Sequence, residues 1–364
     1  MSGPVRVALV GFGWAGQSIW LPRLTAHPAY RVVTVVDPDP RSREVAAERE
    51  GLAVLDDLDR LEKSDVDIAV VTVPNHLHSP VACRLLERGI PVFLEKPVCL
   101  DVAEADRLAI AEREGGAVLL AGSAANYRAD VRALHELAAE LRPVRHVDLS
   151  WVRARGVPGA GGWFTNRELA GGGALVDLGW HLLDIAGPLV GPAVFEQVVA
   201  TTSADFVNNP SLRAAWREEE RGDQPAGDVE DTVRAFVVTD SGVSVSLRAS
   251  WASHEARDTT RITVEGAAGA VSLSCTFGFS TNRLPDSVLT RTHNGVTAPV
   301  PVAGEQIGAE YTRQLDELPA LLADPASRGV AIAQARATIE VIERAYASAR
   351  QARPSADLLE VRGA

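Results

Sequence analysis

Lys96 is one of two lysines in a chain of 364 residues whose other 34 basic residues are arginine. It sits in Glu95-Lys96-Pro97, directly after the apolar run Pro91-Val92-Phe93-Leu94. Arginine offers a fixed planar fork, whereas lysine offers a compact ammonium that can donate to a single oxygen. A lysine at the end of a buried strand therefore suits the polarisation of a substrate hydroxyl or carbonyl. A second group of reactive residues lies in Gly171-Gly172-Gly173-Ala174-Leu175-Val176-Asp177-Leu178-Gly179-Trp180-His181-Leu182-Leu183-Asp184. Asp177, His181 and Asp184 are spaced by four and three, which puts them on one helical face in an otherwise apolar segment. The three preceding glycines permit close backbone approach. Histidine exchanges a proton near neutral pH, and a neighbouring carboxylate orients its ring. An ammonium and an imidazole converging on one oxygen suit hydride transfer between a secondary alcohol and a nicotinamide cofactor, which carries the difficult chemistry.

The sequence also offers a place for that cofactor. Gly11-Phe12-Gly13-Trp14-Ala15-Gly16 follows the strand-like run Val5-Arg6-Val7-Ala8-Leu9-Val10 and opens a helix. The first glycine permits a tight turn, the second lets the backbone approach a pyrophosphate, and the third lets helix pack on strand. The helix N-terminus supplies unsatisfied N–H groups to the pyrophosphate. Asp37 follows Gly16 by 21 residues at the end of the second strand, where its carboxylate can accept from both ribose hydroxyls. That carboxylate repels a 2′-phosphate, so NAD is expected rather than NADP, with Arg41 and Arg43 as the counter-indication. Thr72, Pro74 and Asn75 end the third strand and are expected to reach the cofactor. His76 and His78 read as loop residues, and no metal site is expected.

The elements that must position these residues alternate. Strands at 5–10, 31–36, 67–71, 91–94 and 117–121 are separated by helices near 14–26, 41–50, 79–88 and 102–114, which predicts a doubly wound parallel sheet. The pattern changes near residue 122. A helix at 131–141, a strand at 145–153 and an apolar helix at 173–190 lead into alternating segments at 194–202, 232–239, 243–251, 260–264 and 270–275, which predict a large, mostly antiparallel sheet. Helices at 310–322 and 330–349 close the chain. The expected division is 1–122 for the dinucleotide domain and 123–364 for an α/β substrate and oligomerisation domain, with the last helix able to pack back on the first. Residues 206–227, including Glu218-Glu219-Glu220, read as a charged insertion.

Bulk properties narrow the class. A net charge of −12 and a pI near 5.2 argue against a nucleic-acid partner. No apolar run is expected to span a bilayer, and the N-terminus lacks a signal-peptide layout, so a cytoplasmic protein is expected. Three cysteines suggest neither a disulfide framework nor a zinc site.

Together, the glycine turn, the Glu95-Lys96-Pro97 strand end and the Asp177-to-His181 helix resemble the glucose–fructose oxidoreductase / inositol dehydrogenase (Gfo/Idh/MocA) family over nearly the whole chain. Weaker likenesses are Asn126-Tyr127-Arg128, Glu230-Asp231-Thr232, Ser250-Trp251 and the helix around Tyr346. The resemblance implies an α/β fold with a Rossmann domain and an open-sheet domain that forms dimers or tetramers. It implies that Lys96 binds the reacting oxygen, His181 is the general acid/base, and Asp177 orients the histidine or the substrate. Glu95 would brace the strand end beside the cofactor. Asn126, Arg128, Trp151, Arg153, Trp163, Trp180 and Asp184 would line or support the pocket of a small, carbohydrate-like substrate. Hydride transfer on a sugar, amino sugar or cyclitol is the leading expectation. An NAD-dependent glycosidase working by transient oxidation and elimination, and a non-catalytic dinucleotide sensor, are the alternatives.

Overall fold

The computed structural model describes residues 3–49, 51–159, 162–191, 193–214 and 226–352. They form two compact units. The first runs to Tyr127 and includes Gly308–Ala337; the second runs Arg128–Ile307 and resumes at Thr338.

In the first unit, strands β1 (Val5–Val10), β2 (Tyr30–Val36), β3 (Ala53–Leu55), β4 (Ile68–Val71), β5 (Val92–Leu94) and β6 (Leu119–Ala121) make one sheet of order β3-β2-β1-β4-β5-β6. Every pair in it is parallel. β1, β4 and β5 are almost wholly buried and correspondingly rich in Val, Ile, Leu and Phe, as expected of a sheet covered on both faces. Helices α1 (Leu21–Ala26), α2 (Pro40–Ala47), α3 (His78–Glu87) and α4 (Val102–Gly115) connect the strands. The start of α4 shows how locally these elements are specified. Asp101 accepts from the Glu104 N–H at 2.6 Å while Glu104 accepts from the Leu100 N–H at 2.7 Å, and Gly116 ends the helix at φ +63°.

The second unit holds β7 (Val144–Val152), β8 (Phe195–Ser203), β9 (Thr232–Thr239), β10 (Ser244–Ser250), β11 (Thr259–Gly266), β12 (Gly269–Cys275), β13 (Val288–His293) and β14 (Val296–Val300). They form a sheet of order β14-β13-β12-β11-β7-β10-β9-β8, antiparallel except for β7 beside β10. One cross-strand row, Leu247-Leu149-Ile262-Leu273-Leu289, is fully buried. α5 (Ala129–Ala139) packs on β12 and β13, and α7 (Trp180–Val190) packs on β7. α6 (Arg167–Ala170), α8 (Ala309–Ala323) and α9 (Val330–Ala352) complete the helices.

Three expectations need adjusting. The stretch Arg167–Val190 is long and apolar enough to cross a membrane, contrary to the reading above, but its most apolar part is mostly buried and the helix is interrupted at Gly171, with φ +80°. This is what a core helix of a globular unit looks like. Strands β3, β13 and β14 escaped the sequence reading because they are short or carry polar, half-exposed faces. Glu218-Glu219-Glu220, in the charged insertion, lies outside the described residues.

Candidate active site

In the first unit, β1 ends in the glycine turn. Gly11 adopts φ +88°, and a Cβ there would lie 2.8 Å from the Val73 nitrogen. A Cβ on Gly16 would lie 2.5 Å from the Gly11 carbonyl oxygen, whereas one on Gly13 would meet nothing within 4 Å. The first and third glycines are therefore required by the protein's own packing, and the second opens onto free space where a pyrophosphate fits. The helix after the turn begins with a π-turn at Ala15–Trp20 before α1. Trp14, at its start, is exposed, while the Phe12 side chain is buried. Asp37 is buried at the end of β2 and closes the turn, accepting from the Phe12 N–H at 2.6 Å and the Asp39 N–H at 2.8 Å. The Thr72 hydroxyl donates to the Gly11 carbonyl at 2.6 Å. Pro74 is half-buried and Asn75 buried in the turn that follows. The residues present fit a dinucleotide.

Lys96 follows β5 and is half-buried; its peptide bond to Pro97 is cis. Glu95 accepts from the Trp20 indole N–H at 2.7 Å and from the Lys96 backbone N–H at 3.0 Å. Burial raises the Glu95 pKa, against the opposing pull of Lys96 and the Trp20 hydrogen bond. Trp20 is itself fully buried, so it is a strut under the lysine turn. Its partner lysine in composition, Lys63, lies at the other end of the strands. There it lines a cleft of about 410 Å³ with Arg6, Asp67, Asp324 and Arg328. His78, read from sequence as a loop residue, instead opens α3 and is buried.

In the second unit, the helix carrying Asp177 and His181 starts with a π-turn at Leu175–Gly179 and continues as α7. Asp177, His181 and Asp184 are half-buried on a helix whose intervening side chains are buried, so they share its one accessible stripe. Asp177 accepts from the Trp251 indole N–H at 2.9 Å, and the Arg153 guanidinium stands 3.9 Å from the same oxygen. The His181 ring lies 5.6 Å from Trp151, whose face is also approached by Arg153 at 5.3 Å. Phe277 meets Trp151 edge-on at 5.3 Å, and Arg128 lies over Phe277 at 4.5 Å. Arg128 is paired through two nitrogens with Asp130, at 2.9 and 2.6 Å. Burial opposes the Asp130 charge, yet Arg128 and Ser287 hold its pKa below the ordinary value.

Of the predicted residues, the structure gathers Arg128, Trp151, Arg153, Asp177 and His181 in one cluster of the second unit. Trp163 reaches its edge through Phe164, which faces Trp251 at 6.0 Å. Trp180 is buried in α7 and Asp184 lies one turn beyond His181. Asn126, like Lys96 and the glycine turn, belongs to the first unit. Trp251 and Phe277 were missed as site residues because both close strands whose pattern reads as ordinary sheet core.

The two domain models of one family match this architecture. An oxidoreductase family model with an NAD-binding Rossmann fold matches residues 5–123, and a GFO/IDH/MocA C-terminal domain model matches residues 131–272. The chain is 58% identical over 349 residues to an Amycolatopsis mediterranei protein named "Putative UDP-kanosamine synthase oxidoreductase subunit", covering 96% of this chain and 97% of that one. The chain belongs to the Gfo/Idh/MocA family. It is an oxidoreductase with a dinucleotide-binding Rossmann unit. Among solved structures, GenD2 from gentamicin A biosynthesis, in complex with NAD, aligns at TM-score 0.75 and 27% identity, covering 97% of this chain and 96% of that one. The aldose–aldose oxidoreductase of Caulobacter crescentus aligns at TM-score 0.76 and 25% identity, covering 96% and 98%.

Proposed function

We propose that this oxidoreductase uses NAD to oxidise the C3 hydroxyl of a nucleotide-diphosphate hexose to a ketone. The observation that carries the hydride-transfer reading is the fixed pair on the α7 stripe. Asp177 is pinned by Trp251 and faced by Arg153, one helical turn from a half-buried His181. His181 takes the hydroxyl proton, Asp177 sustains the charge that this creates, and Lys96 steadies the oxygen as it becomes a carbonyl. A bound nicotinamide would supply the hydride acceptor, so the alcohol would lose one proton from oxygen and one hydride from carbon and no other bond would break. Asp37 favours NAD over NADP. Of its two nearby arginines, Arg43 is committed to the Asp37 and Pro38 carbonyls at 3.0 and 2.7 Å, and Arg41 is exposed.

The substrate assignment rests on the long, closely similar relative. Kanosamine is a glucose carrying an amine at C3, and an amine is installed there through a C3 ketone. An oxidoreductase subunit would make that ketone, and a separate aminotransferase would consume it. Trp151 and Phe277 are buried under Arg153 and Arg128 and form an apolar floor beneath two cations that a charged sugar nucleotide would meet.

UDP-glucose deuterated at C3 tests this directly. Deuterium should appear in the reduced cofactor, with the ketone trapped as an oxime, and UDP-glucose deuterated at C4 should transfer none. NAD binding without transfer from either would favour a sensor. Elimination of the aglycone without net NADH would favour the glycosidase chemistry. Lys96→Ala and His181→Ala should each lower kcat by about 10² while NAD affinity stays within about twofold.

A further inference from the structure

We infer that Glu230 is the positioning residue of the catalytic helix, acting through its N-terminus; this rests on the catalytic reading of Asp177 and His181. Glu230 is buried in the second unit, just before β9. Its Oε1 accepts from the Gly173 N–H at 3.0 Å, the Leu175 N–H at 3.0 Å and the Tyr346 hydroxyl at 2.8 Å. Its backbone carbonyl accepts from the intervening Ala174 N–H at 3.0 Å. Three successive N–H groups at the start of the helix, which have no partner within it, are thus satisfied by one residue 55 positions further along the chain. Arg167 stands 3.3 Å from the second carboxylate oxygen.

The glycines before the helix belong to the same device. A Cβ on Gly173 would lie 1.8 Å from the Glu230 carbonyl oxygen, and one on Gly172 would lie 1.9 Å from the Tyr346 hydroxyl. The close backbone approach they permit is to Glu230 and Tyr346. The neighbouring residue extends the arrangement to Asp177. The Asp231 carbonyl accepts from the Trp251 backbone N–H at 2.8 Å, and the Trp251 indole holds the Asp177 carboxylate. The Glu230-Asp231 dipeptide therefore fixes both the start of the helix and the tryptophan that orients its carboxylate. Two interactions, one at the helix start and one on Asp177 itself, thus hold the segment that carries Asp177 and His181. A displacement of about 1 Å at a reacting group can cost roughly 10² in rate.

The test compares Glu230→Ala, Glu230→Gln and His181→Ala on one substrate. Glu230→Ala should lower kcat by about 10- to 100-fold with KM for NAD within about twofold, and its amides at 171–184 should exchange with solvent faster. Glu230→Gln retains an acceptor oxygen for the helix and should return kcat to within about threefold of the parent. Where Glu230→Ala does not fold, Tyr346→Phe removes one donor from the same oxygen and should lower kcat by about two- to fivefold with faster exchange in 171–184. A folded Glu230→Ala or Tyr346→Phe with parental kcat overturns the inference, as does a Glu230→Gln no better than Glu230→Ala. Parental kcat in His181→Ala instead overturns the catalytic reading, whatever the Glu230 variants do.

Discussion

At the residue scale, Asp37 serves two ends at once. Its carboxylate closes the glycine turn through the Phe12 N–H, and it is placed at the strand end where an adenosine ribose would lie. These roles separate on substitution. Asp37→Ser keeps a short acceptor near the turn but removes the negative charge that repels a 2′-phosphate, while exposed Arg41 remains to receive it. The ratio of kcat/KM for NAD over NADP should fall by about 10²-fold. Leaving the buried Phe12 N–H less well satisfied should cost about 1–3 kcal/mol of stability. Steady-state kinetics with both cofactors checks the first effect and thermal melting the second. A ratio that does not move would show that Asp37 is only a turn-closing residue.

At the scale of elements, the turns at the strand ends are held by buried polar groups whose charge state matters. His78 at the start of α3 lies with Nδ1 2.6 Å from the Pro97 carbonyl and Nε2 2.8 Å from the Val73 carbonyl. It joins the turn beside Lys96 to the turn beside the glycine loop. Burial drives its pKa down to about 4; the two carbonyls oppose this, and the charges of Lys96 and His76 reinforce it. The neutral ring has a single N–H, so it donates to one carbonyl at a time. The sign follows from proton uptake. Between pH 6.5 and about 4 the unfolded histidine binds a proton that the folded one refuses, so stability falls as pH falls through that window, by at most about 3 kcal/mol. His78→Gln should flatten this slope. Denaturant midpoints from pH 7.5 to 4.5 measure it, and parallel slopes for parent and variant would rule out His78 as the source. Much of this level was legible from sequence. The Val-rich strands and the glycine turn are local signals, and each of these elements forms where its own residues direct. The π-turns at Ala15–Trp20 and Leu175–Gly179, and the meaning of Gly172 and Gly173, were not legible. The second of these turns and the two glycines depend on Glu230 and Tyr346, whose contacts come from far along the chain and leave no periodicity to read.

At the scale of the molecule, the large sheet has one face committed and one open. The row Val199-Phe236-Ser246-Asp148-Thr263-Ser272-Thr290 runs across seven strands on the face opposite the buried leucine row. Val199 is 63% and Phe236 46% exposed, and small hydroxyl residues fill the middle. A mostly antiparallel sheet face with adjacent apolar side chains at one end and the charges of Asp148, Arg234, Arg248 and Arg261 across it is suited to cover by an identical face, since a two-fold axis lets one patch complement itself. We expect the protein to assemble through this face. Phe236→Glu would place an unpaired charge inside such an interface. Sedimentation velocity should show a dimer or tetramer for the parent and a monomer for the variant at the same concentration. Asp177 and His181 ride on a helix packed against the sheet's other face, so the monomer should keep most of its kcat per chain. A Phe236→Glu protein that sediments with the parent would exclude this face as the contact. A monomer without activity would mean instead that assembly completes the site.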